Sequence, residues 1–455
     1  MLERFVRGTV RVITNTFFRR IHIVGDENVP ADGAVIFAGN HPNALMDGWL
    51  LTSTCGRWPL HFMGNAKLWQ YPLLRPILDA SGAVPVYPRD EYGSDADNTG
   101  AFEKLYEVLE RGDCMGVFPE GISHAETHIV RLKTGTARVA LAVAARGKTD
   151  VTIVPVGLNY VHRHRVGSQV LIEFGNAVVI GDAWAARYRE DQQAAVRDLT
   201  DELTEALKAV TLNAPDWRTL RFAQTTRRLY KPTSARLTPH QYIELNRRFI
   251  DGWEDLQDDP ELIAFRGAAE DYQAHLDLLG LKDYQLRSEI SLAEATRKIV
   301  ARALRVLLLL PLALPGAIIH LPAGWLILEL GDRLSYDMDD VATIKVFATM
   351  LLTPFVYLVA AIVVGAYFGA WWGVATFALL GLTFFATMSV LAIESSLLVS
   401  LMSVFRLTRL RSDVASLRET RQKLVAQIRA LVEKHTGPEI DRIFTAGDFG
   451  GGGAP

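Results

Sequence analysis

The chain has 455 residues, 49% of them apolar, with 48 Lys and Arg against 51 Asp and Glu for a formal charge of -3 at pH 7. That length and composition allow a large core and something more, and the charge argues against a general nucleic-acid role, which calls for a strong positive excess. Its two cysteines, Cys55 and Cys114, stand far apart without metal-ligand spacing, which argues for a reducing, cytosolic setting and against a disulfide framework.

Residues 1–20 mix Phe5, Val6, Val10, Val12, Ile13, Phe17 and Phe18 with Arg4, Arg7, Arg11, Arg19 and Arg20. With no long apolar core or small-residue cleavage site, this is not a secretory signal. It reads as a basic amphipathic helix, lying on an anionic membrane surface or packed on the domain that follows with its arginines in water.

From 21 to 185 short apolar runs alternate with helical stretches, which predicts an α/β domain with a mostly parallel sheet. Ala34–Ala38 is an apolar run between Asp32-Gly33 and Gly39-Asn40, so it reads as a buried strand that delivers His41 at its carboxyl end. Pro42 suits the first position of a helix that continues through Asp47. His41 and Asp47 are six residues apart, so they meet only if His41 lies in the loop and folds back over the first helical turns. Asp47 would then hold one ring nitrogen as an N–H donor and leave the other as a general base toward an alcohol. The bland alternative is a surface histidine beside a helix-start acid.

Phe102, Leu105, Tyr106 and Leu109 mark a helix, and Cys114–Phe118 a second buried strand that ends in Pro119-Glu120-Gly121. Glu120, held on that stiff turn, is an acceptor suited to a hydroxyl or a basic partner, or else an exposed loop acid. His124 and His128 flank Glu126, but the order lacks the His-Glu-x-x-His pattern and no third ligand is evident, so no metal is expected. Arg131 and Lys133 precede Thr134-Gly135-Thr136 and an apolar helix from Arg138 to Ala145. That helix entry would bind a phosphate, or is simply solvated. Val151–Val156 and Ser168–Phe174 read as further strands. Between them, His162, Arg163, His164 and Arg165 make a basic loop, solvated or drawn to anionic lipid.

Residues 186–295 are charged and helical and carry no motif, consistent with a helical insertion or linker domain. In 296–405 the runs Ala303–Leu330, Val346–Phe368 and Ala370–Phe405 are almost free of charge, and a span needs about 20 such residues. Arg297, Lys298, Arg302 and Arg305 lie before or within the start of the first run, and Arg406, Arg409 and Arg411 lie around the end of the last. Positive charge on one side predicts an even number of crossings and a cytosolic catalytic domain. Evenness would come from a re-entrant break at Pro311, Pro315 and Pro322, or from a fold-back near Glu394. Residues 406–440 carry Val414, Leu417, Leu424, Ile428 and Leu431 at helical spacing, an amphipathic helix that returns to the core or pairs with a second copy in a homo-oligomer. The glycine-rich tail within 441–455 is expected to be disordered.

The Asn40-His41…Asp47 and Phe118-Pro119-Glu120-Gly121 boxes resemble those of the glycerophospholipid acyltransferase family, the glycerol-3-phosphate and lysophosphatidic acid acyltransferases. The resemblance spans roughly residues 20–180 and includes, in the family's order, Gly82–Arg89 and Val154-Pro155-Val156-Gly157. The His-to-Asp spacing is one residue longer than usual, as in a subgroup that includes fungal glycerol-3-phosphate and dihydroxyacetone-phosphate acyltransferases. In the Gly82–Arg89 block the arginine comes late, with Pro88 where an earlier basic residue is expected. The resemblance implies a membrane-bound O-acyltransferase with His41 and Asp47 catalytic. It further implies that Glu120 and Gly121 bind the acceptor, that Arg89 and Lys133 meet its phosphate, and that Val154, Pro155 and Val156 line the acyl site. The acyl thioester of coenzyme A or acyl carrier protein is then a co-substrate, with no tightly bound cofactor. The acceptor is glycerol-3-phosphate or dihydroxyacetone phosphate, with lysophosphatidic acid or another lysolipid as the alternative. A non-catalytic lipid-binding scaffold is the rival from another class.

Overall fold

The computed structural model describes residues 2–70, 75–87, 92–93, 97–163, 165, 167–232, 235, 237–287, 292–334, 341–409 and 411–435. The chain divides into two compact units, one of residues 1–216, 238–243 and 335–343, the other of residues 217–237, 244–334 and 344–455.

The first unit holds strands β1 (Phe18–Val24), β2 (Ala34–Gly39), β3 (Leu60–Asn65), β4 (Val84–Val86), β5 (Cys114–Val117), β6 (Val151–Tyr160), β7 (Ser168–Phe174) and β8 (Val178–Ile180). They make one sheet in the order β1-β7-β6-β2-β5-β3-β4, with β8 paired to β6. Five pairings are parallel and two, β6 with β7 and β6 with β8, are antiparallel. The sheet is therefore mostly parallel, as the alternating pattern predicts. All six residues of β2 are buried, the burial expected of an unbroken apolar run covered on both faces. β5 and β6 flank β2 in parallel, with Phe37 level with Gly116 on one side and with Val154 on the other. The loops that follow β2 and β5 consequently leave the same edge of the sheet, where open α/β sheets build their sites. Pro155 has no N–H to give a ladder, and it falls between the stretch of β6 that pairs with β8 and the stretch that pairs with β7.

Helices α1 (Leu2–Phe17), α2 (Leu45–Thr54), α3 (Arg75–Ala80), α4 (Thr99–Glu110), α5 (Gly135–Ala145), α6 (Asp182–Glu190) and α7 (Gln192–Val210) complete this unit. Three boundaries differ from the sequence reading. The first helix stops at Phe17, because Phe18–Val24 is claimed as a strand by parallel pairing with β7. α1 buries Val10, Thr14 and Phe17 and leaves Val12 exposed. The helix after His41 begins at Leu45, so Pro42 sits in the loop ahead of it. α7, expected within the helical linker, belongs to the sheet unit: Leu199, Leu203 and Leu207 recur every four residues and enter the same core as Val139, Val143 and Ile153.

The second unit contains α8 (Trp217–Tyr230), most of α9 (Pro239–Asp255), α10 (Pro260–Leu279), α11 (Leu292–Leu334), α12 (Val341–Phe368), α13 (Ala370–Arg409) and α14 (Arg411–His435). Val414, Leu417, Leu424, Ile428 and Leu431 of α14 are buried with Phe222, Leu229, Phe265 and Tyr272. A single buried acid organises the polar part of this core. Asp283 accepts hydrogen bonds from the Tyr272 hydroxyl, Arg287 and Arg421.

Ile299–Leu334, Thr343–Phe368 and Ala370–Leu391 are long and apolar enough to cross a membrane, and in each no more than 22% of the most apolar window is buried by protein. Leu308, Ile318, Trp325, Phe355, Trp371 and Phe385 accordingly stand exposed, a surface that suits lipid and not water. α11 runs unbroken through Pro311, Pro315 and Pro322, and α13 runs unbroken past Glu394. Neither device expected to make the number of crossings even is formed. Prolines are tolerated in such helices because neighbouring helices and local adjustments satisfy the freed carbonyls. α11 and α13 pack along one another: the Thr387 hydroxyl donates to the Ala313 carbonyl, and Gly316 lies where any Cβ would meet Thr383. The expected disordered tail, 441–455, lies outside the described residues.

Candidate active site

Where β2 ends, Asn40 continues its pairing with side-chain atoms, its Oδ1 accepting from the Leu158 amide at 2.7 Å and its Nδ2 donating to the Leu158 carbonyl at 3.3 Å. The chain then leaves the sheet. Ala44 takes φ 44° and ψ -130°, a strained setting for an alanine that costs of order 1–3 kcal/mol and that turns the loop sharply into α2. The reversal folds His41 back over the first turn of that helix. Its Nδ1 lies 2.9 Å from Asp47 Oδ2, so the two predicted residues meet as required.

Asp47 is fully enclosed. Its Oδ2 also accepts the Asn43 amide at 2.7 Å, and its Oδ1 accepts the hydroxyl of Tyr160. Burial pushes the Asp47 carboxyl above its ordinary range, while the bonds from His41, Tyr160 and Asn43 pull it back toward ionisation. An acceptor-only carboxylate facing three donors assigns the His41 proton to Nδ1 and leaves Nε2 with its lone pair. The imidazole stacks on Phe118, centroids 4.1 Å apart and planes 4° from parallel, and keeps 19% of its side-chain surface exposed.

The loop after β5 closes on the loop after β2. Glu120 Oε1 accepts the His41 amide at 2.9 Å, and Oε2 accepts both the Val130 amide at 3.1 Å and His124 Nε2. The His124 amide in turn donates to the His41 carbonyl at 3.1 Å. Glu120 is thus not an exposed loop acid: both of its oxygens accept hydrogen bonds from the chain itself, and it lines the cleft beside His41. Its bond to His124 raises the pKa of that imidazole. Arg163, three residues beyond the end of β6, joins the same loops, donating to the carbonyls of Pro42 at 3.3 Å and His124 at 3.2 Å, while Asn43 Nδ2 donates to the Arg163 carbonyl at 3.0 Å. Arg163 therefore works inside the site; the sequence left it in a solvated or lipid-facing loop. A cleft opens beside these groups, lined by His41, Pro42, Glu120, His124, His128 and Thr211 among others.

Gly121 has φ 74°, and a Cβ there would lie 3.0 Å from Lys133 Cγ, so glycine is required both by the turn and by the lysine stem laid over it. The Lys133 amide donates to the Pro119 carbonyl at 2.7 Å, which sets this exposed lysine and the start of α5 beside the Glu120 turn. Val154, Pro155 and Val156 are buried inside β6, with Val156 level with Gly39 of β2. They support the strand end that carries His41, and they lie in the sheet interior, not among the residues of the cleft. Arg89 lies outside the described residues.

Tyr160, Asn43, Phe118, His124 and Arg163 are the site residues that motif reasoning missed or left unassigned. Tyr160 and Asp47 are 113 residues apart; only the adjacency of β6 and β2 brings them together.

Residues 20–159 match the Acyltransferase family, and residues 222–330 match the glycerol-3-phosphate acyltransferase 2 C-terminal domain. Glycerol-3-phosphate O-acyltransferase 2 of Saccharomyces cerevisiae is 32% identical over 284 residues, 59% of this chain and 38% of the relative. Glycerol-3-phosphate O-acyltransferase 1 of the same yeast is 29% identical over 297 residues, 61% of this chain and 39% of the relative. A 1-acyl-sn-glycerol-3-phosphate acyltransferase of Borreliella burgdorferi is 30% identical over 141 residues, 30% of this chain and 51% of the relative. The chain thus spans less than two fifths of the length of the two yeast proteins.

Proposed function

The chain belongs to the glycerophospholipid acyltransferase family, and from that premise we propose that it transfers a fatty acyl group from an acyl thioester to the hydroxyl of glycerol-3-phosphate or dihydroxyacetone phosphate at a membrane. The observation that carries this reading is the contact between His41 Nδ1 and a buried, triply bonded Asp47 at the edge of a cleft. His41 Nε2 takes the proton of the acceptor hydroxyl as its oxygen attacks the thioester carbonyl. The tetrahedral intermediate then expels the thiolate, which recovers the proton from His41 and leaves as free thiol. A positioned base of this kind contributes about 10²–10⁴ in rate.

Lys133 and Arg89 are assigned to the acceptor phosphate, the lysine on the strength of its place beside Gly121. Glu120 serves the acceptor through the loops it ties together and through His124. Val154, Pro155 and Val156 belong to the wall behind the acyl end. The co-substrate is an acyl thioester of coenzyme A or acyl carrier protein. The membrane helices keep the enzyme where its acyl donor's tail and its lipid product partition, with the sheet unit on the cytosolic face, as the arginines at 297, 302 and 305 suggest.

The test is an acceptor panel. Purified full-length protein in detergent is given acyl-coenzyme A or acyl carrier protein thioester with glycerol-3-phosphate, dihydroxyacetone phosphate or lysophosphatidic acid, and acylated products are identified by mass. Mono-acylated glycerol-3-phosphate or dihydroxyacetone phosphate is expected. Product from lysophosphatidic acid alone would move the acceptor to a lysolipid, and lysolipid binding without product in any arm would make the protein a scaffold.

A further inference from the structure

The histidine box brings His41 and Asp47 together, but only one of the two carboxylate oxygens is served from within it. Oδ2 takes the His41 imidazole and the Asn43 amide, both from the loop after β2. Oδ1 takes its hydrogen bond from outside that loop, from the Tyr160 hydroxyl. Tyr160 is the last residue of β6, and because Gly39 at the end of β2 is level with Val156, the strand overshoots β2 and carries the phenol over the His41 loop. Its ring leans on Phe18 of β1, centroids 5.7 Å apart. Asp47 itself has no exposed side-chain surface, so water cannot replace a lost donor without rearrangement.

We propose that Tyr160 is a positioning residue of the base: its hydroxyl holds Asp47 as an anion, in the orientation that meets His41 Nδ1. The proposal rests on the acyl-transfer reading. Tyr160 acts on the reacting nitrogen through Asp47; its hydroxyl also meets the Asn43 side chain and lies near the Arg163 charge. Without the hydroxyl more of the Asp47 charge falls on His41, so the anion holds a protonated imidazole more tightly than a neutral one and the last proton leaves the His41–Asp47 dyad at a higher pH. A charge-assisted bond of this kind is worth more than a neutral one, and because only the part that differs between the two protonation states counts, the acid limb of the kcat profile moves upward by at most about one pH unit.

The experiment compares full-length wild type, His41→Ala, Tyr160→Phe and Phe18→Leu in detergent, measuring thiol release across pH and the thermal midpoint of each protein. For Tyr160→Phe the expected result is a kcat lower by up to about tenfold on the acid side of the profile, an unchanged acceptor KM and an acid limb displaced upward. Phe18→Leu loosens the same ring without removing the hydroxyl, and its acid limb is expected to stay in place. An unmoved limb in Tyr160→Phe, or failure of that variant to fold, assigns the hydroxyl to stability and overturns the proposal. Absence of His41-dependent turnover in the wild type would instead overturn the acyl-transfer reading and this proposal with it.

Discussion

Replacing Asp47 by Asn tests how the base is held, because the amide keeps the size of the carboxylate and changes only its hydrogen-bonding sense. Asp47 accepts from three donors: His41 Nδ1, the Asn43 amide and the Tyr160 hydroxyl. An asparagine offers one oxygen and one NH₂ group in the same space. If the oxygen faces Asn43 and His41, the NH₂ points at the Tyr160 hydroxyl, which can turn and accept. If the NH₂ faces His41, Nδ1 must accept and the proton moves to Nε2, where it blocks the base. In either orientation the negative charge that stabilises the developing imidazolium is gone. The expected loss is about 10²–10⁴ in kcat, the full worth of general-base catalysis, with acceptor KM changed by less than about threefold because no phosphate contact is touched. Stability should change by no more than about 1–3 kcal/mol, since at most one buried group is left mispaired. Initial rates of thiol release and a thermal midpoint measured on one preparation separate the two effects. A folded Asp47→Asn protein that keeps more than about a tenth of wild-type kcat would refute the assignment of Asp47 to the base.

Two further outcomes are expected. Because its bond to Glu120 raises the pKa of His124, the stability this pair contributes is complete below the unfolded-state histidine value of about 6.5 and is lost as pH rises through the higher folded value. The thermal midpoint should fall more between pH 6 and 8 in the wild type than in His124→Asn, and equal slopes would contradict the pairing. A Cβ at residue 157 would sit 1.9 Å from the Val210 carbonyl oxygen, where the end of α7 crosses β6. Gly157→Ala should therefore cost about 3 kcal/mol or more, read as a lower midpoint and reduced yield of folded protein, and an unchanged midpoint would contradict this packing.

The parts of the fold that were legible are those whose burial is complete. β2 and β5 announce themselves as unbroken apolar runs with glycine and proline turns behind them, and those turns carry His41 and Glu120. β1, β3 and β4 were not legible for separate reasons. Arg19 and Arg20 make the start of β1 look like the end of the preceding helix. His61, Gly64 and Asn65 dilute the apolar signal of β3, and β4 is three residues around a proline. Within the site, the His41–Asp47 contact follows from spacing plus a loop that folds back. The partners of Glu120 did not follow, because a glutamate between proline and glycine looks exposed until the two loops are seen to close on each other. Tyr160 gave no local signal beyond a tyrosine at the end of a long strand, since strand order is a tertiary property. The membrane helices were legible as composition, but their prolines and Glu394 suggested breaks that the continuous helices do not make.

The most direct test of the account is acceptor-dependent thiol release by the wild-type protein set against His41→Ala, with acyl-coenzyme A as donor and glycerol-3-phosphate as acceptor. The account predicts steady release in the wild type, with one acylated product per thiol, and a rate reduced by at least about 10² in the variant at equal folded concentration. Equal rates in the two proteins, or release that ignores the acceptor, would contradict the claim that His41 is the base of an acyl transfer.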